Sequence, residues 1–177
     1  SWAPDEDLIV PYFNAHPGMK LNLAPHVISE EHLTQIENKL KRPSLRYTEA
    51  TEDNVSRADC LIINCFGLLS SIYRYAHVAY VGGGFGAGIH NVPEAAVYGI
   101  PVLIGPNNKG FREAQDLLRL GGCFEITGQT LFNAVVSRLM SKKKLRQQRG
   151  AIGKHYIESN AGAADKIFQM IETFLSA

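Results

Sequence analysis

Tyr80-Val81-Gly82-Gly83-Gly84-Phe85-Gly86-Ala87-Gly88-Ile89-His90-Asn91-Val92-Pro93-Glu94-Ala95-Ala96 is the stretch on which the fold turns. A short apolar run enters a glycine-rich loop, the loop carries a His and an Asn, and Pro93-Glu94-Ala95-Ala96 reads as the first turn of a helix. Strand, glycine loop and helix start, in that order, are how parallel α/β sheets build sites for phosphates and sugar hydroxyls. Glycine lets the backbone approach a ligand closely, and the free N–H groups of a helix start attract an anion. Many βα loops carry glycine only to turn the chain, so the run by itself leaves both readings open.

The same rhythm continues on both sides. Pro4-Asp5-Glu6-Asp7 places Pro and acids in a first helical turn, and Leu8, Ile9, Tyr12 and Phe13 recur at helical spacing up to His16-Pro17-Gly18. Leu21 to Ala24 is a strand candidate, Ser29 with Glu30 and Glu31 predicts a capped helix through Leu40, and a short strand is expected near Leu45 to Thr48. Cys60-Leu61-Ile62-Ile63-Asn64 is a near-continuous apolar run, as in a strand covered on both faces. Helices are predicted over Gly67–Tyr75, Pro93–Tyr98 and Phe111–Leu120, strands over His77–Val81, Pro101–Ile104 and Cys123–Ile126, and two or three helices from about residue 128. Six short strands separated by helices predict an α/β fold with a Rossmann-like, doubly wound parallel sheet.

Composition bounds the function classes. The chain has 177 residues, 45% hydrophobic and 20% charged, which suits one soluble globular domain and excludes disorder. Eighteen Lys and Arg against seventeen Asp and Glu leave +1, so no nucleic-acid partner is expected. Lys142-Lys143-Lys144 with Arg146 and Arg149 is a local exception, read as a solvated helix face that also suits anionic lipid headgroups. Cys60, Cys65 and Cys123 lie in apolar runs without CxxC spacing and are expected to be buried free thiols of a reducing compartment. No window approaches eighteen consecutive apolar residues, and Ser1-Trp2 lacks an initiator Met, which suggests an excised domain.

Ligands of doubly wound sheets bind at the carboxyl ends of strands, which selects four loops. They hold Pro25 and His26; Phe66, Gly67 and Leu68; His90, Asn91, Val92, Pro93 and Glu94; and Gly105, Pro106, Asn107 and Asn108. A carboxylate at Glu94 suits a ribose diol, and equally suits the dipole of the helix it starts. His26 and His90 are candidate donors to a phosphate or oxyanion. GxSxG, HExxH, Walker A and paired CxxC motifs are all missing, and no local cluster assembles a metal site, so neither a metal nor a cofactor is expected.

Gly82-Gly83-Gly84-Phe85, Gly88 through Ala96, Gly99-Ile100-Pro101-Val102 and Gly105-Pro106-Asn107 together resemble the donor-binding region of 3-deoxy-D-manno-octulosonic acid (Kdo) transferases, GT-B glycosyltransferases of lipopolysaccharide synthesis. The likeness extends to Ser1 through Asp7, Ala24-Pro25-His26, Gly67-Leu68-Leu69 with Tyr73, and Asn160-Ala161-Gly162-Ala163, so it covers nearly the whole chain. It implies that residues 1–177 form the CMP-Kdo binding half of a GT-B fold. In the family a Pro-Arg or Pro-His pair, a Met-Gly-Glu-like turn and an Asn-Pro-Leu-Glu turn hold the cytidine monophosphate. These match Pro25 and His26, Phe66-Gly67-Leu68, and Asn91-Val92-Pro93-Glu94, with Gly83, Gly84, His90 and Asn107 as possible additions. Glu94 is then expected to take the ribose, and the helix starts near Gly67 and Asn91 to face the phosphate.

The sequence departs from the family pattern at three places. Leu68 stands where an acid is usual, Gly83-Gly84 lacks the following hydroxyl, and Ile89 replaces a glycine. The resemblance further implies an enzyme that transfers Kdo from CMP-Kdo to a lipid A precursor, with inversion, at the cytoplasmic face of the inner membrane. The general base is expected in an N-terminal, acceptor-binding domain outside this chain, so the fragment alone should bind donor without turning it over. Two other readings stand beside it: a GT-B glycosyltransferase or epimerase using a UDP-sugar, and a non-catalytic nucleotide-binding module.

Overall fold

The first helix, α1 (Ala3–Ala15), carries Pro4 in its first turn and buries Leu8, Ile9, Tyr12 and Phe13, the four residues at helical spacing. β1 (Leu21–Leu23), α2 (Glu30–Lys39), β2 (Ser44–Arg46) and β3 (Cys60–Ile62) follow. Ser29 starts α2 as expected, its hydroxyl oxygen accepting from the His32 amide at 3.3 Å. The helix predicted over 67–75 is instead α3 (Leu69–Ile72) followed by a 3₁₀ turn at Tyr73–Tyr75. Then come β4 (Ala79–Val81), α4 (Pro93–Ala96), β5 (Val102–Ile104), α5 (Arg112–Leu120), β6 (Cys123–Glu125), α6 (Gln129–Ser141) and α7 (Lys143–Asn160). This computed structural model describes residues 1–161. The expected third C-terminal helix, and Gly162-Ala163 of the resemblance, lie outside the described residues.

Among the described residues every strand pairing is parallel, and six strands fall in two sheets of three, ordered β1-β3-β2 and β4-β5-β6. The central strand β5 is covered on both faces and is apolar on both sides. In β5, Leu103 joins the hydrophobic cluster beneath α1, α2 and α6, while Val102 and Ile104 join the cluster beneath α4 and α5. All three are fully buried, which is why the stretch reads as a continuous apolar run.

Cys60 and Cys123 are buried free thiols, and burial pushes both up to about 12. Cys65 departs from the expectation of burial because it lies beyond the end of β3, and it is half-exposed. Within the basic run, Lys143 and Lys144 are solvated, but Arg146 donates to the Leu139 and Met140 carbonyls at 3.2 Å each, tying down the last turn of α6. No described helix is long and apolar enough to cross a membrane.

Candidate functional site

Because the strands run parallel, the loops that leave β1, β3, β4 and β5 all open at the carboxyl edge of their sheets. The first and third of these loops meet. His26 stacks with His90, ring centroids 5.3 Å apart, and with Trp2 at 4.2 Å. The Trp2 indole Nε1–H donates to His90 Nε2 at 3.2 Å, which requires that nitrogen to be unprotonated. Partial burial, the Ser1 ammonium and His26 lower the His90 pKa, with Asp5 and Glu94 opposing them. Pro25 is buried, while His26 and His90 stay accessible.

The glycine loop is held by the protein's own backbone. Gly82, Gly83 and Gly84 are buried. Gly83 has φ +95°, and the Gly88 carbonyl occupies the space a Cβ would need there. A Cβ on Gly84 would lie 2.6 Å from the Gly105 Cα, so these two loops pass backbone against backbone. Asn107 fastens the same crossing. Its amide donates to the Gly84 carbonyl at 2.8 Å and its side chain to the Gly86 carbonyl at 2.7 Å. In this geometry Gly83 and Gly84 serve loop packing, and the accessible part of the run begins at Gly86.

Beyond the glycines, Val92 is buried and anchors the turn, while Asn91 is exposed and Glu94 half-exposed. Asn91 Nδ2 donates to Glu94 Oε1 at 2.9 Å, leaving Oε2 without a hydrogen bond among the described residues. Ile89, His90, Asn91, Val92 and Pro93 line a small cleft of about 140 Å³ with Phe111. Burial first, and the Glu94 carboxylate second, push the neighbouring Tyr73 phenol up to about 12. Tyr73 therefore remains a hydrogen-bond donor at neutral pH.

The loop after β3 is less tied. Phe66 is 82% exposed, Gly67 is exposed, and Leu68 lends its carbonyl to the Ser71 hydroxyl at 2.9 Å. The two helices whose starts were expected to face a phosphate, α3 and α4, are single turns of four residues each. Their aligned dipoles are short; α3 offers the amides of Leu69 and Ser70, whereas α4, which begins at Pro93 and bonds its Ala95 and Ala96 amides to Val92, offers only that of Glu94. No group of three or more His, Cys, Asp or Glu suited to a metal occurs among the described residues.

Two acids that look from the sequence like ordinary first-turn residues of α1 organise this edge. Asp5 and Glu6 are fully buried. The Asp5 carboxylate accepts from the Gly83 amide at 3.0 Å, the Trp2 amide at 2.9 Å and the Tyr80 hydroxyl at 2.9 Å, pinning α1 to the glycine loop. Burial and that carboxylate push the Tyr80 phenol far above its ordinary range. Glu6 Oε1 accepts from the Ser1 hydroxyl at 3.0 Å and faces His32 Nε2 at 3.1 Å. The signal available in the sequence was their inclusion in the quoted Ser1–Asp7 likeness, not their helical position.

Two parallel sheets packed with helices and loops gathered at the carboxyl edge define the class: a Rossmann-like α/β fold that matches one half of a GT-B fold. Within that class the chain is similar to 3-deoxy-D-manno-octulosonic acid transferases. It is 26% identical to that of Rickettsia prowazekii over 97% of this chain and 39% of the relative, and 33% identical to that of Aquifex aeolicus over 49% of this chain and 25% of the relative. The chain thus spans about two fifths of the length of the Rickettsia relative. Its fold is shared by the crystal structure of the C-terminal CMP-Kdo binding domain of WaaA from Acinetobacter baumannii, with TM-score 0.73, 19% identity, and coverage of 88% of this chain and 84% of that one. No protein-family model matches the chain.

Proposed function

We propose that this chain is the donor-binding half of a glycosyltransferase that moves Kdo from CMP-Kdo to a lipid A precursor. The observation that carries the proposal is the Asn91–Glu94 pair: Asn91 holds one carboxylate oxygen and leaves the other free, half-exposed, at the carboxyl edge of the sheet. A carboxylate held in that way suits the two hydroxyls of a ribose. Its neighbours fit the rest of a nucleotide, with the His26 and His90 rings offering flat faces and the first-turn amides of α3 and the Glu94 amide offering donors to a phosphate. The likeness to Kdo transferases along almost the whole chain supports CMP-Kdo as the donor.

In this reading the fragment binds, orients and stabilises. Backbone N–H groups stabilise the charge that grows on the departing cytidine phosphate, and no metal is required for that. The general base and the acceptor site lie in an N-terminal domain, and closure of the two halves excludes water from the activated sugar. The intact protein works at the cytoplasmic face of the inner membrane, where Lys143 and Lys144 face solvent and suit anionic headgroups.

Calorimetric titration of the chain with CMP tests the site. Binding is expected to be weak and to fall by about 1 to 3 kcal/mol in Glu94→Ala. Unchanged affinity would return Glu94 to a helix-start role, and UDP binding as tightly as CMP would overturn the Kdo assignment.

A further inference from the structure

The bond from the Trp2 indole to His90 fixes where the imidazole keeps its proton. Two N–H groups cannot face each other at 3.2 Å, so Nε2 carries a lone pair and the neutral ring carries its proton on Nδ1. That is the reverse of the form a free histidine side chain prefers in water. Burial is the largest of the causes that lower the His90 pKa, and the lowered value keeps the ring neutral at and above neutral pH.

The ring is held on several sides. The His90 amide donates to the Gly82 carbonyl at 3.1 Å, and His26 stacks with the imidazole at 5.3 Å. A Cβ on Gly83 would lie 3.5 Å from His90 Cδ2, the atom next to Nε2. Nδ1 lies across the ring from the Nε2–Cδ2 bond and has no hydrogen-bond partner among the described residues. His90 itself is exposed and lines the cleft with Asn91, Pro93 and Phe111. A free donor therefore stands at the edge where the loops gather.

The fold uses the backbone of Trp2 rather than its indole. The Trp2 amide donates to the Asp5 carboxylate at 2.9 Å, and its carbonyl accepts from the Asp5 and Glu6 amides at 2.9 and 3.1 Å. The start of α1 is thus set by the main chain. The indole is 39% exposed, and its hydrogen bond among the described residues goes to His90. We propose that Trp2 is a positioning residue whose indole N–H locks His90 in the Nδ1–H tautomer, so that the ring gives an uncharged donor to an acceptor oxygen of the bound nucleotide. The donor role rests on the nucleotide reading above, whereas the tautomer stands without it. When the indole N–H is removed, Nε2 recovers the proton and Nδ1 meets the ligand oxygen lone pair to lone pair. The contact turns repulsive while the charge of the site stays the same.

Trp2 is the single tryptophan of the chain, which permits two replacements of different shape. Trp2→Phe keeps an aromatic ring, and benzothienylalanine in place of Trp2 keeps the full bicyclic outline with sulfur instead of the N–H. Nitrogen-15 NMR of the imidazoles at about pH 8, above the ordinary histidine pKa, reads the tautomer, with the His90 signals assigned by their loss in His90→Asn. The unaltered chain is expected to show a protonated Nδ1 and a bare Nε2, and both replacements to move His90 toward a protonated Nε2. A bare Nδ1 in the unaltered chain would overturn the proposal. So would a tautomer that neither replacement moves, as a purely structural Trp2 requires. Calorimetric titration then reads the donor: CMP affinity is expected to fall about two- to tenfold in both replacements, with Tm preserved in the benzothienylalanine protein. Undiminished CMP binding in a protein whose tautomer has shifted would overturn the donor role. A locked tautomer in an unaltered chain that binds no CMP would sink the nucleotide reading, and the donor role with it, while upholding the lock.

Discussion

Asp5 is the residue on which the site depends most, and nothing near it in sequence reveals this. One carboxylate, 78 positions from Gly83, holds the glycine loop, the start of α1 and Tyr80 at once. Asp5→Ala leaves those donors buried without partners and is expected to cost about 3 to 5 kcal/mol in urea unfolding. Asp5→Asn keeps an oxygen for the two amides and an amide group for Tyr80, so it should cost clearly less; an equal loss would show that charge, not hydrogen bonding, matters. His90 supplies a pH dependence. Its pKa is lowered in the fold, so the unfolded chain binds the proton more readily, and stability is full above the ordinary imidazole value of 6.5 and declines as pH falls through it. Protonation also removes the acceptor of the Trp2 indole. Thermal melts between about pH 7.5 and 5 should show that decline, and His90→Gln, which still offers an acceptor but does not titrate, should flatten it. At this scale the sequence located His26, His90, Asn91 and Glu94 by spacing to strand ends. It could not show that Trp2 joins two of them, stacking on His26 and donating to His90, since Trp2 and His90 are 88 positions apart.

Among elements, the match between periodicity and structure is close wherever an apolar face is long. α1, α2 and α5 appear where caps and spacing placed them, and the β5 run is buried on both faces. Short elements moved. The stretch over 67–75 breaks into a four-residue helix and a 3₁₀ turn, because Tyr75 is 76% exposed and no continuous apolar face holds a longer helix together. The join between α1 and β1 depends on Arg42, which no local pattern singles out. Its guanidinium donates to the carbonyls of Phe13, His16, Pro17 and Met19 at 2.8 to 2.9 Å and lies 4.1 Å over the Phe13 ring. A lysine cannot reproduce that planar fork, so Arg42→Lys is expected to cost about 1 to 3 kcal/mol by urea denaturation, with CMP affinity unchanged. A loss of CMP binding in a folded Arg42→Lys protein would mean that the α1–β1 join also positions His26.

For the whole molecule, the proposed donor site predicts that CMP, by binding only the folded chain, stabilises it by mass action. At about one hundred times the dissociation constant the gain is about 2.7 kcal/mol, read as a rise in Tm, and UDP at the same concentration should give a smaller one. The order of strands and helices, the parallel α/β class, the carboxyl-edge loops and the likeness to Kdo transferases were all determined by the sequence by itself. Each resides in windows of a few residues, where apolar periodicity, caps and glycine spacing act locally. Only the tertiary structure decided that Gly83 and Gly84 pack against Gly88 and Gly105, that Asp5 is their clamp, and that the six described strands pair as two sheets of three. The physical reason is the same in each case: a buried amide or carboxylate must find its partner wherever the fold brings one, and those partners are set by packing across the molecule rather than by neighbours along the chain.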